Sequence, residues 1–488
     1  MSGRQCNRGG PVVASTVPSV PTKLVDVEVA TSTRRNVPAV VLAATGPALG
    51  PGGDGIDVSD LTGKAGEAVR HDEAWTLGVG TGTLADYRTA GASLVRALSG
   101  EDAPKTADVL LTPDFDAEKV RAFVLGAALG GYRFKVTGED GPKRVGSLRL
   151  ITPDDGFEEV LTSAALKAHA LATATSLARD LANTPSNVKD PRWLATTAAK
   201  LADKVDGLSA TVRDEKWLAQ QGFGGVLAVG GGSARPPRFL ELTYGTTGPH
   251  LVFIGKGITF DTGGISVKPA DGMHLMRTDM AGGGAVISAL LTVARRRLPI
   301  RVTGLVPCAE NHVSGSAYRP GDVVRHYGGA TTEVQNTDAE GRMVLADAMA
   351  YAVKNLKPDL VVDVATLTGA MKVSLGLRTG AVFSASDELA AEVIAVGANV
   401  GEKWWRMPLL EEHVGAVASE IADYKQCPPG PGGITAALFL QKFAGDVPWA
   451  HLDIAGPARS EKVYDEVVAG ATGFGARTLV ELAEKYSR

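Results

Sequence analysis

Seven consecutive residues, Asn336-Thr337-Asp338-Ala339-Glu340-Gly341-Arg342, place two carboxylates and a guanidinium at alternate positions just before a helical pattern. On extended backbone, alternate side chains project from one side, so Asp338, Glu340 and Arg342 could share a cleft. Carboxylates crowded in this way repel one another, and burying them unpaired is costly. A bound cation removes that cost. Arg342 could balance part of the charge or grip an anionic reactant with its forked donors. On these residues alone a solvated turn is the alternative, because Asp, Asn and Gly are ordinary turn residues.

A second segment bears on that choice. His250 to Phe260 reads HLVFIGKGITF, an apolar run of strand length carrying one lysine, and it runs into Asp261-Thr262-Gly263-Gly264. Lys268 follows seven residues after Asp261, and Asp279 eighteen after it. Charged residues at the ends of apolar strands are what an open α/β sheet presents to its ligand crevice. A lysine is ordinarily a surface or ion-pair residue, but Lys256 inside an apolar run calls for a partner. Asp261, Asp279, Asp338 and Glu340 suffice for two divalent cations if some of them bridge. The eight histidines form no HExxH, and Cys6, Cys308 and Cys427 are far apart, so neither a His/Cys zinc site nor a disulfide framework is supported. An oxygen-rich, two-metal hydrolytic site is the sharper reading.

The blocks GKGITFDTGG, MRTDM, NTDAEGR, VATLTGA and WAHLDIAG, with Lys268 between the first two, follow one another along the chain. In this order and spacing the sequence resembles the leucyl (cytosol) aminopeptidases, firmly over residues 180–488 and loosely before that. The resemblance implies a metal-dependent aminopeptidase that cleaves the first peptide bond of peptides with a free N-terminus. It also implies a preference for leucine or another apolar first residue, and two divalent ions, manganese or zinc, that provide a metal-bound water. By the same match Asp261 and Glu340 bridge the ions, Lys256 and Asp279 complete one site, and Asp338 completes the other. Lys268 polarises the scissile carbonyl, and Arg342 holds a bicarbonate that serves as base. Met276, Thr366 and Gly369, with Ala455 and Ala458 nearby, line the pocket for the first side chain. A cytoplasmic homohexamer is implied too. The chain departs from its relatives at the proline-rich Pro428-Pro429-Gly430-Pro431-Gly432-Gly433, and at Met343, where leucine is usual.

The elements that must position these groups read as two α/β blocks. In the first, short strands fall at Lys23–Ala30, Pro38–Ala44, Trp75–Val79 and Ala107–Leu111, with helical patterns at 85–98 and 116–130. Phe157 to Leu181 reads as one Ala/Leu-rich helix, stopped at Asn183-Thr184-Pro185 because the residue before proline disfavours helix. In the second block, apolar strands at His250–Phe260, Val302–Pro307, Leu360–Ala365 and His451–Ala455 alternate with helices near 281–297, 341–355 and 389–400. That alternation predicts a mixed, largely parallel central sheet. The expected organisation is a flexible tail over 1–20, a smaller N-terminal α/β domain over 21–155, a connecting helix over 156–184 and a C-terminal catalytic α/β domain over 185–488.

Composition narrows the function further. A chain of 488 residues exceeds what one core usually supports, and 44% hydrophobic residues can fill two. A net charge of −4 gives no electrostatic case for nucleic acid or an anionic membrane. No segment has the apolar length of a membrane span. Residues 1–20 lack a signal-peptide pattern, and three scattered cysteines suit a reducing compartment, so a cytoplasmic setting is expected. GKG at 255–257 lacks phosphate-loop spacing. A two-metal phosphoesterase would also use clustered carboxylates, but it would add phosphate-gripping cations beyond Lys268 and Arg342. A scaffold with no catalytic role leaves the ligand set unexplained.

Overall fold

Alternating apolar and helical segments build two large sheets in the computed structural model, which describes residues 20–72, 74–136 and 141–488. The expected tail therefore lies outside the described residues, apart from Val20. The first sheet contains β1 (Asp26–Ala30), β2 (Ala39–Ala44), β3 (Ala48–Leu49), β4 (Ala68–Arg70), β5 (Ala74–Gly78), β6 (Thr106–Leu110) and β7 (Ser147–Ile151). Its order is β1-β7-β6-β2-β5-β4, with β3 paired to β2, and its interior pairings are parallel. The antiparallel pairings are those of β3 and β4 with their neighbours.

The second sheet contains β8 (Leu208–Arg213), β9 (Arg238–Tyr244), β10 (His250–Gly255), β11 (Gly257–Asp261) and β12 (Arg301–Asn311). Outside it, β13 (Val323–Arg325) and β14 (Thr331–Glu333) form a small sheet with a later strand. The large sheet continues with β15 (Leu360–Ala365), β16 (Thr379–Phe383) and β17 (Lys403–Met407). The partner of β14 is β18 (Tyr424–Lys425), and β19 (Trp449–Asp453) returns to the large sheet. The order there is β17-β16-β19-β15-β10-β12-β9-β8, with β11 paired to β12. Its centre, β19-β15-β10-β12, is parallel, while β8, β9 and the β16–β19 contact are antiparallel. The expected mixed, largely parallel α/β architecture in two domains is what the chain adopts.

Burial explains the near-continuous apolar strands. Every residue of β10, β15 and β19 is buried, because helices cover both faces. The helix Ala281–Arg295 is buried along almost its whole length and packs against β10, β12 and the long helix Glu158–Asn183. That long helix also packs on the helix Ala117–Gly130 of the first block. Its Arg179, fully buried, donates to Leu129 O at 3.3 Å on one side and to Thr472 O at 2.9 Å on the other. Thr184 ends it as expected, with its hydroxyl returned to Asp180 O at 2.7 Å.

Two expectations change in detail. The run His250–Phe260 is not one strand: it breaks at Lys256, where Lys256 N donates to Val364 O and Lys256 O accepts from Gly283 N. Beyond the break, β11 pairs only with β12. In the proline-rich segment, Gly432 and Gly433 already belong to the helix Gly432–Ala444, so the irregular part ends at Pro431.

Candidate active site

The chemically distinctive residues gather at the carboxyl ends of the parallel strands. Lys256 follows β10, Asp261 ends β11, Thr366 follows β15 and Asp453 ends β19. Asp338 lies in the turn before the helix Glu340–Tyr351, which supplies Glu340 and Arg342 from its first turn. The extended backbone that would align Asp338, Glu340 and Arg342 is therefore not adopted. Residues two apart on a helix point in different directions. Glu340 faces Lys256, and Arg342 turns instead to donate from Nη1 to Gln426 O at 2.6 Å.

Asp261, Asp338 and Glu340 each bring one carboxylate oxygen within 4.8 Å of the others. Two lysines thread the acidic cluster. Lys256 Nζ lies 2.7 Å from Glu340 Oε1 and 2.9 Å from Asp279 Oδ2, and donates to Thr366 O at 2.9 Å. Lys268 Nζ lies 2.8 Å from Asp261 Oδ2 and also contacts Asp338 Oδ1. Asp279 is therefore joined to Glu340 through Lys256, and Asp261 to Asp338 through Lys268. Two glycines make this approach feasible. A Cβ on Gly341 would lie 2.9 Å from Lys256 Nζ, and Gly263, at φ +87°, would put one 3.0 Å from Asp338 Oδ1.

The electrostatics record the crowding. Burial, then the neighbouring Glu340 and Asp279 charges, push the Asp261 carboxyl well above its ordinary range. Burial raises Asp279 to about 6 against the pull of Lys256. Burial and Glu340 raise Asp338. Glu340 goes the other way: burial acts to raise it, but Lys256 and Lys268 outweigh that and hold it low. For Lys256 burial favours the neutral amine, yet Asp279, Glu340 and Asp261 hold it above the ordinary lysine value.

The donor set fits divalent cations. Asp279 Oδ2, Asp338 Oδ1 and Glu340 Oε1 are buried and accept no well-formed hydrogen bond, although lysine nitrogens stand close to them. Such oxygens are costly to bury unless a cation takes them. Hard oxygen donors suit magnesium or manganese, and zinc accepts carboxylate as well.

A sequence profile of the cytosol aminopeptidase family, catalytic domain, matches residues 176–480. The chain belongs to the cytosol aminopeptidase family. It is therefore a metallo-aminopeptidase, a hydrolase. It is 43% identical over 376 residues to the probable cytosol aminopeptidase of Syntrophotalea carbinolica, covering 75% of each chain. It is 39% identical over 458 residues to that of Chlorobium limicola, covering 88% of this chain and 89% of the other. Among solved structures, the bottromycin maturation enzyme BotP in complex with Mn superposes with a TM-score of 0.84 at 39% identity. That likeness covers 93% of this chain and 100% of BotP. Among the described residues, no helix of this aminopeptidase is long and apolar enough to cross a membrane.

The residues expected to line the aminopeptidase's side-chain pocket are placed unequally. The Thr366 hydroxyl donates to Asp279 Oδ1 at 2.7 Å, directly at the cluster. Met276 is half-buried on the 3-10 turn Met273–Thr278, and its carbonyl accepts from Asp279 N. Gly369 is exposed at the start of the helix Gly369–Leu375, and Ala455 is half-buried after β19. Ala458 is buried and tied by backbone hydrogen bonds to Ile454 and Thr472.

Sequence reasoning missed the residues that hold the site in place. Asn311 ends β12 and donates from Nδ2 to Asp261 Oδ1 at 2.8 Å and to Thr337 O at 3.0 Å. Asp453 accepts from Leu367 N, Thr368 N, the Thr368 hydroxyl and Ala455 N, which ties together the loops that carry Thr366, Gly369 and Ala455. Both are polar residues at the end of an apolar strand, the same signal that singled out Asp261.

Proposed function

We propose that this aminopeptidase removes the first residue from peptides with a free N-terminus, preferring leucine or another apolar side chain, at a dinuclear metal centre. The observation that carries this reading is the convergence of buried Asp261 and Glu340 with half-buried Asp338, and with Asp279 one lysine away. Asp261 and Glu340 would bridge the two ions. Lys256 and Asp279 would complete one position, and Asp338, with its own carbonyl, the other. Bound there, manganese or zinc would supply Lewis acidity and a nucleophile from water near neutral pH. The manganese named for BotP supports that metal.

The chain's own groups do the rest. The Lys268 ammonium is held in its charged form, since Asp261 and Glu340 outweigh burial. It is the more accessible of the two lysines, at 21% against 3% side-chain exposure, and would donate to the oxyanion that develops on the scissile carbonyl. Arg342 Nε is buried with no hydrogen-bond partner, which supports its role in holding an anionic base such as bicarbonate. Met276, Thr366, Gly369, Ala455 and Ala458 would shape the pocket for the first side chain. The free α-amine is what distinguishes a first residue, and a cleft lined with carboxylates can recognise it.

The reading extends to a division into residues 21–155, 156–184 and 185–488, and to a homohexamer in the cytoplasm. The relatives' name supports the cytoplasmic setting. The decisive experiment measures amino-acid release from a panel of free and N-acetylated peptides, with metal content determined in parallel. Release is expected from free peptides only, led by apolar first residues, at two metals per chain. Equal release from blocked peptides, or full turnover by verified metal-free protein, would overturn it.

A further inference from the structure

Gln426 is fully buried, and its backbone and side chain together make five hydrogen bonds to residues 333–342. Gln426 N donates to Glu333 O at 3.1 Å. Its Oε1 accepts from Gln335 N and Asn336 N, both at 3.1 Å. Its Nε2 donates to Ala339 O at 2.9 Å, and its own carbonyl accepts from Arg342 Nη1 at 2.6 Å. Both acceptor positions of the carboxamide oxygen are thereby filled.

These contacts bracket the chemistry. Asp338 lies between Asn336 and Ala339, and Glu340 follows Ala339 directly. Ala339 precedes the helix Glu340–Tyr351 and has no side chain able to cap it. On the opposite side, Thr337 is pinned by the main core: its hydroxyl donates to Gly263 O at 2.7 Å, and its carbonyl accepts from Asn311 and Tyr318. On the other side, among the described residues, the segment is held by Gln426, beside the local Asn336 Oδ1 that accepts from Asp338 N at 2.9 Å.

We propose that Gln426 is a positioning residue for the reaction: its carboxamide fixes the backbone that aims Asp338 and Glu340, and its carbonyl fixes Arg342. This rests on the reading of Asp338 and Glu340 as metal ligands. Gln426 stands two residues before Pro428, so the proline-rich segment and the ligand loop share this anchor. Partners of metal ligands commonly carry 10- to 100-fold effects on metal affinity or activity.

The test is Gln426→Glu, which keeps the size and the acceptor but sets a carboxylate oxygen against Ala339 O. Direct titration with Mn²⁺ and steady-state kinetics are compared with wild type. Mn²⁺ affinity and kcat should each fall by about 10- to 100-fold, with KM little changed. Thr478→Val is the control for a merely structural effect. It removes the hydroxyl that bonds Trp404 and Glu402 far from the loop, and should lower Tm without changing Mn²⁺ affinity. A folded Gln426→Glu protein with wild-type Mn²⁺ affinity and kcat overturns the proposal, as does an equal loss of affinity in the control. If Gln426→Glu does not fold, Gln426→Asn, one methylene shorter with the same groups, takes its place, and unchanged Mn²⁺ affinity there is equally decisive. Wild-type protein that binds no Mn²⁺ overturns the ligand reading, and this inference with it.

Discussion

Lys256 Nζ lies 2.7 Å from Glu340 Oε1, and both side chains are almost completely buried, at 3% and 1% exposure. Without metal this pair is an ammonium held by carboxylates, because Asp279, Glu340 and Asp261 outweigh the effect of burial on the lysine. A lysine can ligate a metal only as the neutral amine. The sign of the linkage follows. With the pKa raised above 10.5, the ammonium is favoured throughout neutral pH, and its contribution is lost only as pH rises through the raised value. Metal uptake should therefore expel a proton and tighten as pH rises. Calorimetric heats of Mn²⁺ binding should vary with the ionisation enthalpy of the buffer, and Lys256→Met should reduce both that proton release and the affinity. Buffer-independent heats would remove Lys256 from the ligand set.

The second lysine predicts a different phenotype. Lys268 contacts Asp261 and Asp338 but is more accessible, so Lys268→Ala should keep its metal while kcat falls by roughly 10²–10³-fold, the effect of losing one oxyanion donor. Arginine at 268 keeps the charge but not the compact ammonium, so partial recovery is expected. Metal analysis and kinetics on both lysine variants decide the matter. If Lys268→Ala loses metal while Lys256→Met keeps it, the two roles are reversed.

Asp453 should matter although it touches none of the four clustered carboxylates by hydrogen bond. Its carboxylate takes four donors from Leu367, Thr368 and Ala455. In Asp453→Asn an amide N–H₂ must face some of those donors. A cost of about 2 kcal/mol is expected for spoiling charged, buried hydrogen bonds. Because the affected loops carry Thr366, Gly369 and Ala455, kcat/KM for a leucine substrate should fall along with the denaturation midpoint. Normal kinetics in a destabilised variant would confine Asp453 to the fold.

Much of this cluster was legible because charge set at turns and inside apolar runs leaves local marks. Asp261 ends a strand, Asp279 and Asp338 lie in turns, Glu340 opens a helix, and Lys256 is a charge inside an apolar run. Strand positions were legible for the same reason, though not every span: Leu360–Ala365 is observed as expected, whereas Val302–Pro307 lengthens to Arg301–Asn311 and His451–Ala455 shifts to Trp449–Asp453. Geometry across the sheet was not legible. The split of His250–Phe260 depends on β15 and the helix Ala281–Arg295 both bonding Lys256, and neither is local in sequence. The helix starts at Glu340, one residue before the expected 341–355, and no cap residue announces that start, since Ala339 cannot supply one. Gln426 bonds to residues about 90 positions away and has no local signature.

The last prediction concerns acid stability. Glu484, on the C-terminal helix Ala476–Tyr486, takes Arg296 Nη1 at 2.6 Å and Lys167 Nζ at 3.0 Å. Lys167 also meets Glu481 at 2.8 Å, so the long helix Glu158–Asn183 is clamped to the C-terminal one. Burial acts to raise the Glu484 carboxyl, but hydrogen bonds from Arg296 and Lys167 outweigh it and bring it down to about 2. A depressed carboxylate contributes stability above its unfolded value and loses that contribution as pH falls toward the folded one. The window here is from 4.5 down to about 2. Allowing for solvent screening, the contribution is on the order of 1 kcal/mol. Glu484→Gln should thus lower Tm by roughly 1–3 °C at pH 7. The gap to wild type should stay constant down to the upper edge of that window and narrow below it. Thermal unfolding of both proteins across that range checks this, and a gap that widens on acidification would show that the clamp is not held by the Glu484 charge.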